Sequence, residues 1–281
     1  LPAGKSQTAS AVQGQHPWFQ RRWLHCSPSN SVAQVRVLLI GPVGAGKSSF
    51  FNSINSVFKG YVSNQAIAGC STNSLTKQVR LVSFTSYGQG GNPLPIILCD
   101  TMGLEESTGA GLDIDDIASI LEGHLPDSYQ FNPTAPLRSN ASGYHKSPGL
   151  SDKIHCVAYV VDACKVAILW KPDVLGFIFL ISAGIPQLVL LTKVDEACPL
   201  VSQDIRNIYK SSYIQDIMQE VGVRLGVAMS CVVPVKNYSK EFELDQNCDI
   251  LLLTAIIQMF RSTDGYFDDL SDRLSNVKTK E

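Results

Sequence analysis

The sequence of 281 residues lacks several features that mark particular classes of protein. Its 8 cysteines contain no C-x-x-C pair, and the chain has no long block of basic residues. The first absence argues against a zinc site, and the second leaves nucleic acid without an evident binding surface. The longest apolar runs, 174–185 and 249–260, are well below the ~20 residues that span a bilayer. We therefore expect no nucleic-acid partner and no membrane span.

The rest of the composition is that of an ordinary globular protein. Hydrophobic residues make up 44% of the chain and charged residues 17%, with a formal net charge of -2. The cysteines are scattered, and Cys99, Cys156 and Cys231 lie in strand-like runs. This distribution predicts reduced thiols in the core and a cytoplasmic location.

The chain is predicted to form one main domain over residues 17–265. Residues 1–16 are polar and lack the apolar core of a signal peptide, so we expect a disordered tail or an expression remnant. Trp18 and Trp23 are predicted to pack on the domain as part of an N-terminal strap. Residues 266–281 are predicted to be a C-terminal tail.

Apolar strand-like runs alternate with helix-like stretches along the domain. Most runs are continuous rather than alternating, which is typical of strands covered on both faces by helices. The order predicts an α/β doubly wound fold with a mostly parallel six-stranded sheet flanked by helices. A glycine-rich connection after the second run predicts one antiparallel pair. The predicted strands are 35–40, 79–84, 95–100, 154–163, 186–193 and 226–235, and the predicted helices are 46–58, 113–122, 172–183, 203–221 and 246–262.

The stretch GPVGAGKSS, residues 41–49, lies between the first predicted strand and the first predicted helix. It matches G-x-x-x-x-G-K-[ST] in the context that predicts a phosphate-binding loop. Its glycines let backbone N–H groups turn towards phosphate oxygens, and the helix N-terminus adds a partial positive charge. Lys47 is expected to stabilise the terminal phosphates, and Ser48 to offer its hydroxyl to Mg²⁺. The predicted loop residues are Gly41, Pro42, Val43, Gly44, Ala45, Gly46, Lys47, Ser48 and Ser49.

A second motif, D-x-x-G, ends the third predicted strand with Asp100 and Gly103. A carboxylate there can hold a Mg²⁺-bound water, and the Gly103 N–H can meet a γ-phosphate. Taken alone, this motif is as easily a turn. Thr76, before the second predicted strand, is the predicted switch residue for Mg²⁺ and the γ-phosphate, with Thr72 as the alternative.

A third motif, T-K-x-D, closes the fifth predicted strand with Thr192, Lys193 and Asp195. The carboxylate of Asp195 can accept hydrogen bonds from the N1–H and the exocyclic amine of guanine, a donor pair that adenine lacks. Lys193 can lay its aliphatic stem over the base. After the sixth predicted strand, Lys236 and Asn237 are expected to place backbone N–H groups at the guanine carbonyl. These residues predict binding of GTP or GDP and disfavour an ATP-dependent enzyme.

Together the motifs resemble the translation-factor-type GTPase superfamily, and more narrowly the interferon-induced protein 44 and 44-like family. The narrower resemblance rests on PWFQRRW (17–23), the phosphate-loop segment, CDTMGLEE, LDIDDIASILEGHLPDSYQFNP (112–133) and VPVKNYSKEFELD (233–245). It covers about residues 17–265. The resemblance implies a cytoplasmic, interferon-inducible GTP-binding protein with a role in antiviral defence. It implies no reaction beyond GTP binding and hydrolysis.

The sequence departs from the generic GTPase pattern at two positions. Leu104 stands where many small GTPases carry the glutamine that orients the attacking water, so hydrolysis is expected to be slow. Thr192 replaces the more usual asparagine, which is expected to weaken the scaffold between the base-reading loop and the phosphate loop. Two function classes stay open. One is a slow GTPase, and the other is a nucleotide-gated interaction or scaffold protein without significant hydrolysis.

Residues 105–152 are an insertion relative to a minimal GTPase. They open with an acidic helix and continue through a proline- and glycine-rich loop longer than the ~15 residues usual for such connections. One interpretation is a helix packed on the core with a mobile loop. The other is a surface for an unidentified protein partner, or for self-association, beside the switches. His124 and His145 are the candidates here for a further catalytic group.

Overall fold

A computed structural model of the protein describes residues 32–63, 79–80, 82–87, 93–101, 114–125, 130–131, 139, 141, 143–166 and 184–278. The strands are β1 (Val35–Ile40), β2 (Val79–Arg80), β3 (Val82–Tyr87), β4 (Pro93–Asp100), β5 (Gln130–Phe131), β6 (Cys156–Asp162), β7 (Gln187–Thr192) and β8 (Val232–Pro234). The helices are α1 (Lys47–Lys59), α2 (Ile114–Leu121), α3 (Val194–Ala197), α4 (Pro199–Gln203), α5 (Ser212–Leu225) and α6 (Gln246–Lys278). Short 3-10 turns lie at Leu150–Asp152, Ala163–Lys165, Ile205–Lys210 and Met229–Cys231.

The main sheet has the strand order β3-β4-β1-β6-β7-β8. Strands β4, β1, β6, β7 and β8 run parallel, and β3 pairs antiparallel with β4 at the edge. The predicted α/β fold with a mostly parallel sheet is therefore confirmed. Five of its strands run parallel, and the antiparallel β3–β4 pair is the one predicted from the glycine-rich connection. Outside this sheet, β2 and β5 form a separate antiparallel pair.

Helices cover both faces of the sheet. Successive side chains of a strand point to opposite faces, so β1 contributes to two apolar clusters. Leu38 and Ile40 pack with residues of α2 and α5, whereas Val37 and Leu39 pack with residues of α1 and α6. All residues of β1 and β6 are buried, as their continuous apolar runs predict. This packing holds the carboxyl ends of β1, β4, β6 and β7 at one edge.

The predicted helix 203–221 and the predicted strand 226–235 both differ in their bounds from the elements of the structure. The strand predicted over 226–235 is only Val232–Pro234, because Gly226 takes a left-handed conformation (φ 68°) and ends α5. The helix predicted over 203–221 is also wrong at its start. Residues Ile205–Lys210 form a 3-10 turn, and Ser211 then caps α5 by accepting a hydrogen bond from the Ile214 N–H.

Helix α6 is longer than the predicted 246–262. It continues to Lys278, and Phe267 is buried against the core, so most of the segment predicted as a tail is helical. The predicted helix 172–183 and the N-terminal strap lie outside the described residues. Within the described ranges, no helix combines the length and the apolar character needed to cross a membrane.

Candidate nucleotide-binding site

The phosphate loop connects β1 to α1, and its glycines adopt conformations that other residues rarely reach. Gly44 and Gly46 have φ values of 75° and 99°. A Cβ atom on Gly41 would lie 2.2 Å from the Val160 carbonyl oxygen, so no larger residue fits between the loop and β6. No side chain caps α1, which begins at Lys47. Its first N–H groups therefore lack intrahelical acceptors and face the loop as an anion site.

The side chain of Lys47 lies inside this loop. Its Nζ donates hydrogen bonds of 2.9 Å to the carbonyl oxygens of Gly41 and Pro42. The residue is only 6% exposed, and this burial lowers the pKa of Lys47 to about 8, against the opposing effect of the Asp100 carboxylate. The loop thus encloses a poorly solvated cation that a phosphate group can neutralise.

Ser48 and Asp100 form a hydrogen-bonded pair beside this cation. The Ser48 hydroxyl donates to Asp100 Oδ2 at 2.5 Å. Burial raises the pKa of Asp100, whereas the hydrogen bond from Ser48 and the charge of Lys47 lower it, and burial prevails. Asp100 Oδ1 is buried and accepts no hydrogen bond from the described residues. A hydroxyl, a carboxylate and an open buried acceptor are a donor set that fits Mg²⁺ and its bound water.

The base-reading motif begins at the end of β7. The fully buried Thr192 donates its hydroxyl to the Ala45 carbonyl oxygen of the phosphate loop at 2.6 Å. Lys193 has a left-handed backbone (φ 56°), and its Nζ lies 2.6 Å from Oδ2 of the buried Asp162. Burial alone would lower the pKa of Lys193, but the hydrogen bond and the charge of Asp162 outweigh it and raise the pKa. The lysine is therefore held in its charged form at this edge of the sheet.

The loop after β8 contacts both the phosphate loop and α1. Asn237 Nδ2 donates to the Gly46 carbonyl oxygen at 3.3 Å, while its buried Oδ1 accepts no hydrogen bond from the described residues. An unpaired buried acceptor of this kind costs ~1–3 kcal/mol. The next residue, Tyr238, donates its backbone N–H to Ser53 Oγ of α1 at 2.8 Å. The loop is thereby fixed to the phosphate-binding element at two adjacent positions.

Glu241 orders the same loop from its other end. It accepts hydrogen bonds from the N–H groups of Ser239 and Lys240, and it pairs with Lys236 Nζ at 2.9 Å. Burial alone would raise the pKa of Glu241, but these hydrogen bonds lower it to about 2. Burial would likewise lower the pKa of Lys236, but Glu241, with a contribution from Asp195, raises it.

Two of these charged residues, Asp162 and Glu241, were not predicted from the sequence. Asp162 ends a buried parallel strand as Asp100 does, and this position could have indicated from the sequence that it belongs to the site. Glu241 lies in a polar loop, where nothing in its sequence context distinguishes it from a solvated charge. Both hold a lysine of the predicted base-reading motifs in place.

The structure connects the phosphate loop with Asp100, Thr192 and Asn237 through the contacts above, and it pairs Lys193 with Asp162. Asp195 lies at the start of α3, directly after this edge. His124 donates a hydrogen bond from Nδ1 to the His145 carbonyl oxygen within the insertion. The predicted residues Thr72, Thr76, Gly103 and Leu104 lie outside the described residues.

A mostly parallel α/β sheet, a glycine-rich loop between β1 and α1, and carboxylates at the end of β4 and after β7 define a P-loop GTPase-like protein. Comparison with curated proteins identifies particular relatives. The chain is 42% identical over 244 residues to interferon-induced protein 44-like of Homo sapiens, covering 85% of this chain and 54% of the relative. It is 40% identical over 252 residues to interferon-induced protein 44 of Homo sapiens, covering 88% and 56%. The predicted resemblance to these proteins is confirmed, and the chain spans about half the length of the curated relatives it matches.

No protein-family model matches the chain. Among solved structures, it is similar to Toc33 from Arabidopsis thaliana in complex with GDP and Mg²⁺, with a TM-score of 0.48 and 15% identity over 87% of this chain and 92% of that one. Toc33 in complex with Mg²⁺ and GMPPNP gives a TM-score of 0.47 and 14% identity over 91% and 96%.

Proposed function

We propose that this protein binds GTP and GDP with Mg²⁺ and hydrolyses GTP slowly. The observation that carries the proposal is the phosphate loop, in which a buried Lys47 lies beside the Ser48–Asp100 pair. Since its relatives are named interferon-induced proteins, we propose the same induction here, with a cytoplasmic role in antiviral defence. The partners in that role would be guanine nucleotide and an unidentified protein.

The N-terminus of α1, Lys47, Ser48 and Asp100 would each bind the phosphates or their Mg²⁺ in a different way. The free N–H groups at the start of α1 donate to phosphate oxygens. Lys47 gives up its hydrogen bonds to two loop carbonyl oxygens and donates to the terminal phosphates instead. Bound Mg²⁺ supplies neutralisation of the phosphate charge. Ser48 would ligate it directly and Asp100 through a water, whose hydrogens meet the open Oδ1. Thr76, or alternatively Thr72, and Gly103 would complete the contacts with the γ-phosphate.

The base is bound by the two loops after β7 and β8. Asp195 accepts the two guanine hydrogen bonds, and the ion pair with Asp162 holds the stem of Lys193 beside the base. The backbone N–H groups of Lys236 and Asn237 face the guanine carbonyl. Their loop is preordered by Glu241, so little conformational entropy is lost on binding.

A second candidate function is favoured by Leu104. An apolar side chain cannot orient the attacking water, so the protein can instead act as a nucleotide-gated interaction or scaffold protein without significant hydrolysis. The insertion at 105–152 would then be the surface that binds a partner or a second copy. Single-turnover phosphate release separates the two functions, because only the first produces phosphate.

Titration of the purified protein with fluorescent GTP, GDP and ATP analogues, with and without Mg²⁺, tests the proposal. We expect binding of both guanine nucleotides and none of ATP at the same concentrations. Lys47→Ala should abolish detectable binding, since charge-assisted hydrogen bonds contribute ~1.5–3 kcal/mol each. Lys59→Ala, at the other end of the same helix, is the matched control and should bind as wild type. Unchanged affinity in Lys47→Ala would exclude the phosphate-loop assignment.

A further inference from the structure

Two side chains, one at the end of β7 and one in the loop after β8, hold consecutive carbonyl groups of the phosphate loop. The Thr192 hydroxyl, at the end of β7, donates to the Ala45 carbonyl oxygen at 2.6 Å. The Asn237 amide, after β8, donates to the Gly46 carbonyl oxygen at 3.3 Å. The sequence predicted only that the Asn237 backbone faces the base, and it predicted a weakened scaffold at Thr192.

We propose that Asn237 is a positioning residue for the phosphate loop, supplying from β8 the amide that GTPases usually carry at the position of Thr192. The inference rests on the proposed function, because its consequence is tighter binding of phosphate. It assigns to the Asn237 side chain a role separate from reading the base.

The planarity of the peptide bond links these two contacts to phosphate binding. In a trans peptide, the carbonyl of one residue and the N–H of the next lie in one plane and point in opposite directions. Fixing the Ala45 carbonyl therefore fixes the Gly46 N–H, and fixing the Gly46 carbonyl fixes the Lys47 N–H. Both N–H groups belong to the turn that receives the phosphates. Without the two side chains, these donors would have to be ordered when the ligand binds.

The side chains of Asn237 and Thr192 occupy the space beside the Gly46 Cα atom. A Cβ atom built on Gly46 would lie 3.1 Å from Asn237 Nδ2 and 3.5 Å from Thr192 Cγ2, so both side chains contact the glycine closely. An asparagine at 192 would bring a second amide into this space beside Asn237. The short side chain of Thr192 thus leaves the space that the amide of Asn237 fills.

The Gly46 carbonyl oxygen can take both of its partners. It also accepts the Phe50 N–H at 2.8 Å, the first hydrogen bond of α1, and a carbonyl oxygen has two lone pairs. The orientation of the Asn237 amide follows, because its oxygen cannot face another carbonyl oxygen. The buried Oδ1 is then left without a donor among the described residues, a cost that an apolar side chain would avoid. An apolar side chain, however, could not hold Gly46.

Inorganic tripolyphosphate is the probe that isolates this role, since it has phosphates and no base. Titrations of the full chain with Mg²⁺ tripolyphosphate and with Mg²⁺ GTP compare wild type with Asn237→Ala. We expect both affinities to fall about tenfold in the variant, as for loss of an ordering hydrogen bond. Asn207→Ala, on the 3-10 turn Ile205–Lys210, is the matched control and should change neither affinity. Should Asn237→Ala lose the wild-type circular dichroism spectrum, Asn237→Ser replaces it, and we expect a smaller fall in both affinities.

Moving the asparagine tests the proposed exchange. Thr192→Asn alone should weaken tripolyphosphate binding, because two amides then crowd Gly46. The double variant Thr192→Asn with Asn237→Ala should recover to within about threefold of wild type, a coupling expected of two residues that act on the same glycine. A variant at 237 that loses GTP affinity but keeps tripolyphosphate affinity, or a double variant no better than the 237 variant, would overturn the inference alone. Wild-type protein that binds neither ligand would overturn the proposed function and this inference with it.

Discussion

In the proposed function, Lys47 makes phosphate binding depend on pH. Its pKa of about 8 in the free protein reflects burial, whereas a bound triphosphate favours the charged form. Below pH 8 the lysine is charged in both states, so protonation does not oppose binding. Above pH 8 binding must take up a proton, and the affinity for GTP should fall towards about tenfold per pH unit.

This dependence is measurable by isothermal titration between pH 7.5 and pH 9. Two buffers of different ionisation enthalpy at pH 8.5 should give different apparent binding enthalpies, because the buffer supplies the proton that Lys47 takes up. Equal enthalpies, with an affinity that stays constant to pH 9, would show that Lys47 is already charged throughout.

In the proposed function, Asp195 determines which base is bound. In Asp195→Asn, the amide can donate to the carbonyl that xanthine carries in place of the guanine amine. We therefore expect weaker binding of GTP and GDP and tighter binding of xanthine nucleotides, measured by competition against a fluorescent analogue. A wild type that binds ATP as well as GTP would contradict guanine recognition, whatever the variant does.

At the scale of elements, local sequence predicted β1, the phosphate loop and α1 well. A continuous apolar run, a glycine pattern and an N-terminal helix turn are all specified by neighbouring residues. The boundary between α5 and β8 was not predictable in this way, since the apolar residues after Gly226 suit a strand as well as a helix cap. Only pairing with β7, which is formed by residues far along the chain, decides where β8 begins.

The charged partners of the site were missed for the same reason. Asp162 and Glu241 matter because of the lysines that the fold brings to them, Lys193 and Lys236. The side-chain role of Asn237 is also tertiary, since its acceptor lies 191 positions away. Motifs predicted the chemistry of the loops, whereas the contacts between the loops required the structure.

His155 joins three elements at the opposite edge of the sheet. Its Nδ1 accepts the Arg36 N–H of β1 at 2.9 Å, and its Nε2 therefore carries the hydrogen that it donates to the Leu150 carbonyl at 2.8 Å. The ring also packs against Phe267 of α6, with ring centroids 5.1 Å apart. Burial lowers the pKa of His155, although the hydrogen bond to Leu150 opposes this shift. The fold thus requires the neutral imidazole.

The free energy of unfolding should consequently fall in acid. Below the ordinary pKa of 6.5, the unfolded chain binds a proton that folded His155 does not, so stability decreases by up to about 1.4 kcal/mol per pH unit. Urea unfolding at pH 7.5 and pH 5.5 measures this decrease in the free energy of unfolding. In His155→Gln, which can still accept and donate, the loss between the two pH values should be smaller.

For the whole molecule, the chemistry expected of GTP hydrolysis exceeds what the assigned residues supply. In-line attack on the γ-phosphate needs an oriented water and stabilisation of charge in the transition state. In the proposed function, Lys47 and Mg²⁺ would provide part of the charge stabilisation, but Leu104 cannot orient water and the segment 69–78 contains no arginine to act as an internal finger. The domain would then keep its GTP-bound state for longer than a single binding event with a partner lasts.

We therefore expect an intrinsic turnover on the order of 10⁻² s⁻¹ or slower, measured as phosphate release under single-turnover conditions. Leu104→Gln should raise it about tenfold if water orientation limits the rate, equivalent to about 1.4 kcal/mol of barrier. An unchanged rate would leave charge stabilisation as the limiting step, and an added partner that supplies a cation should then accelerate the wild type. Turnover above about 1 s⁻¹ without a partner would contradict the slow-GTPase proposal. It would require a further catalytic group, with His124 and His145 of the insertion as the first residues to replace, or a second copy that supplies one in trans.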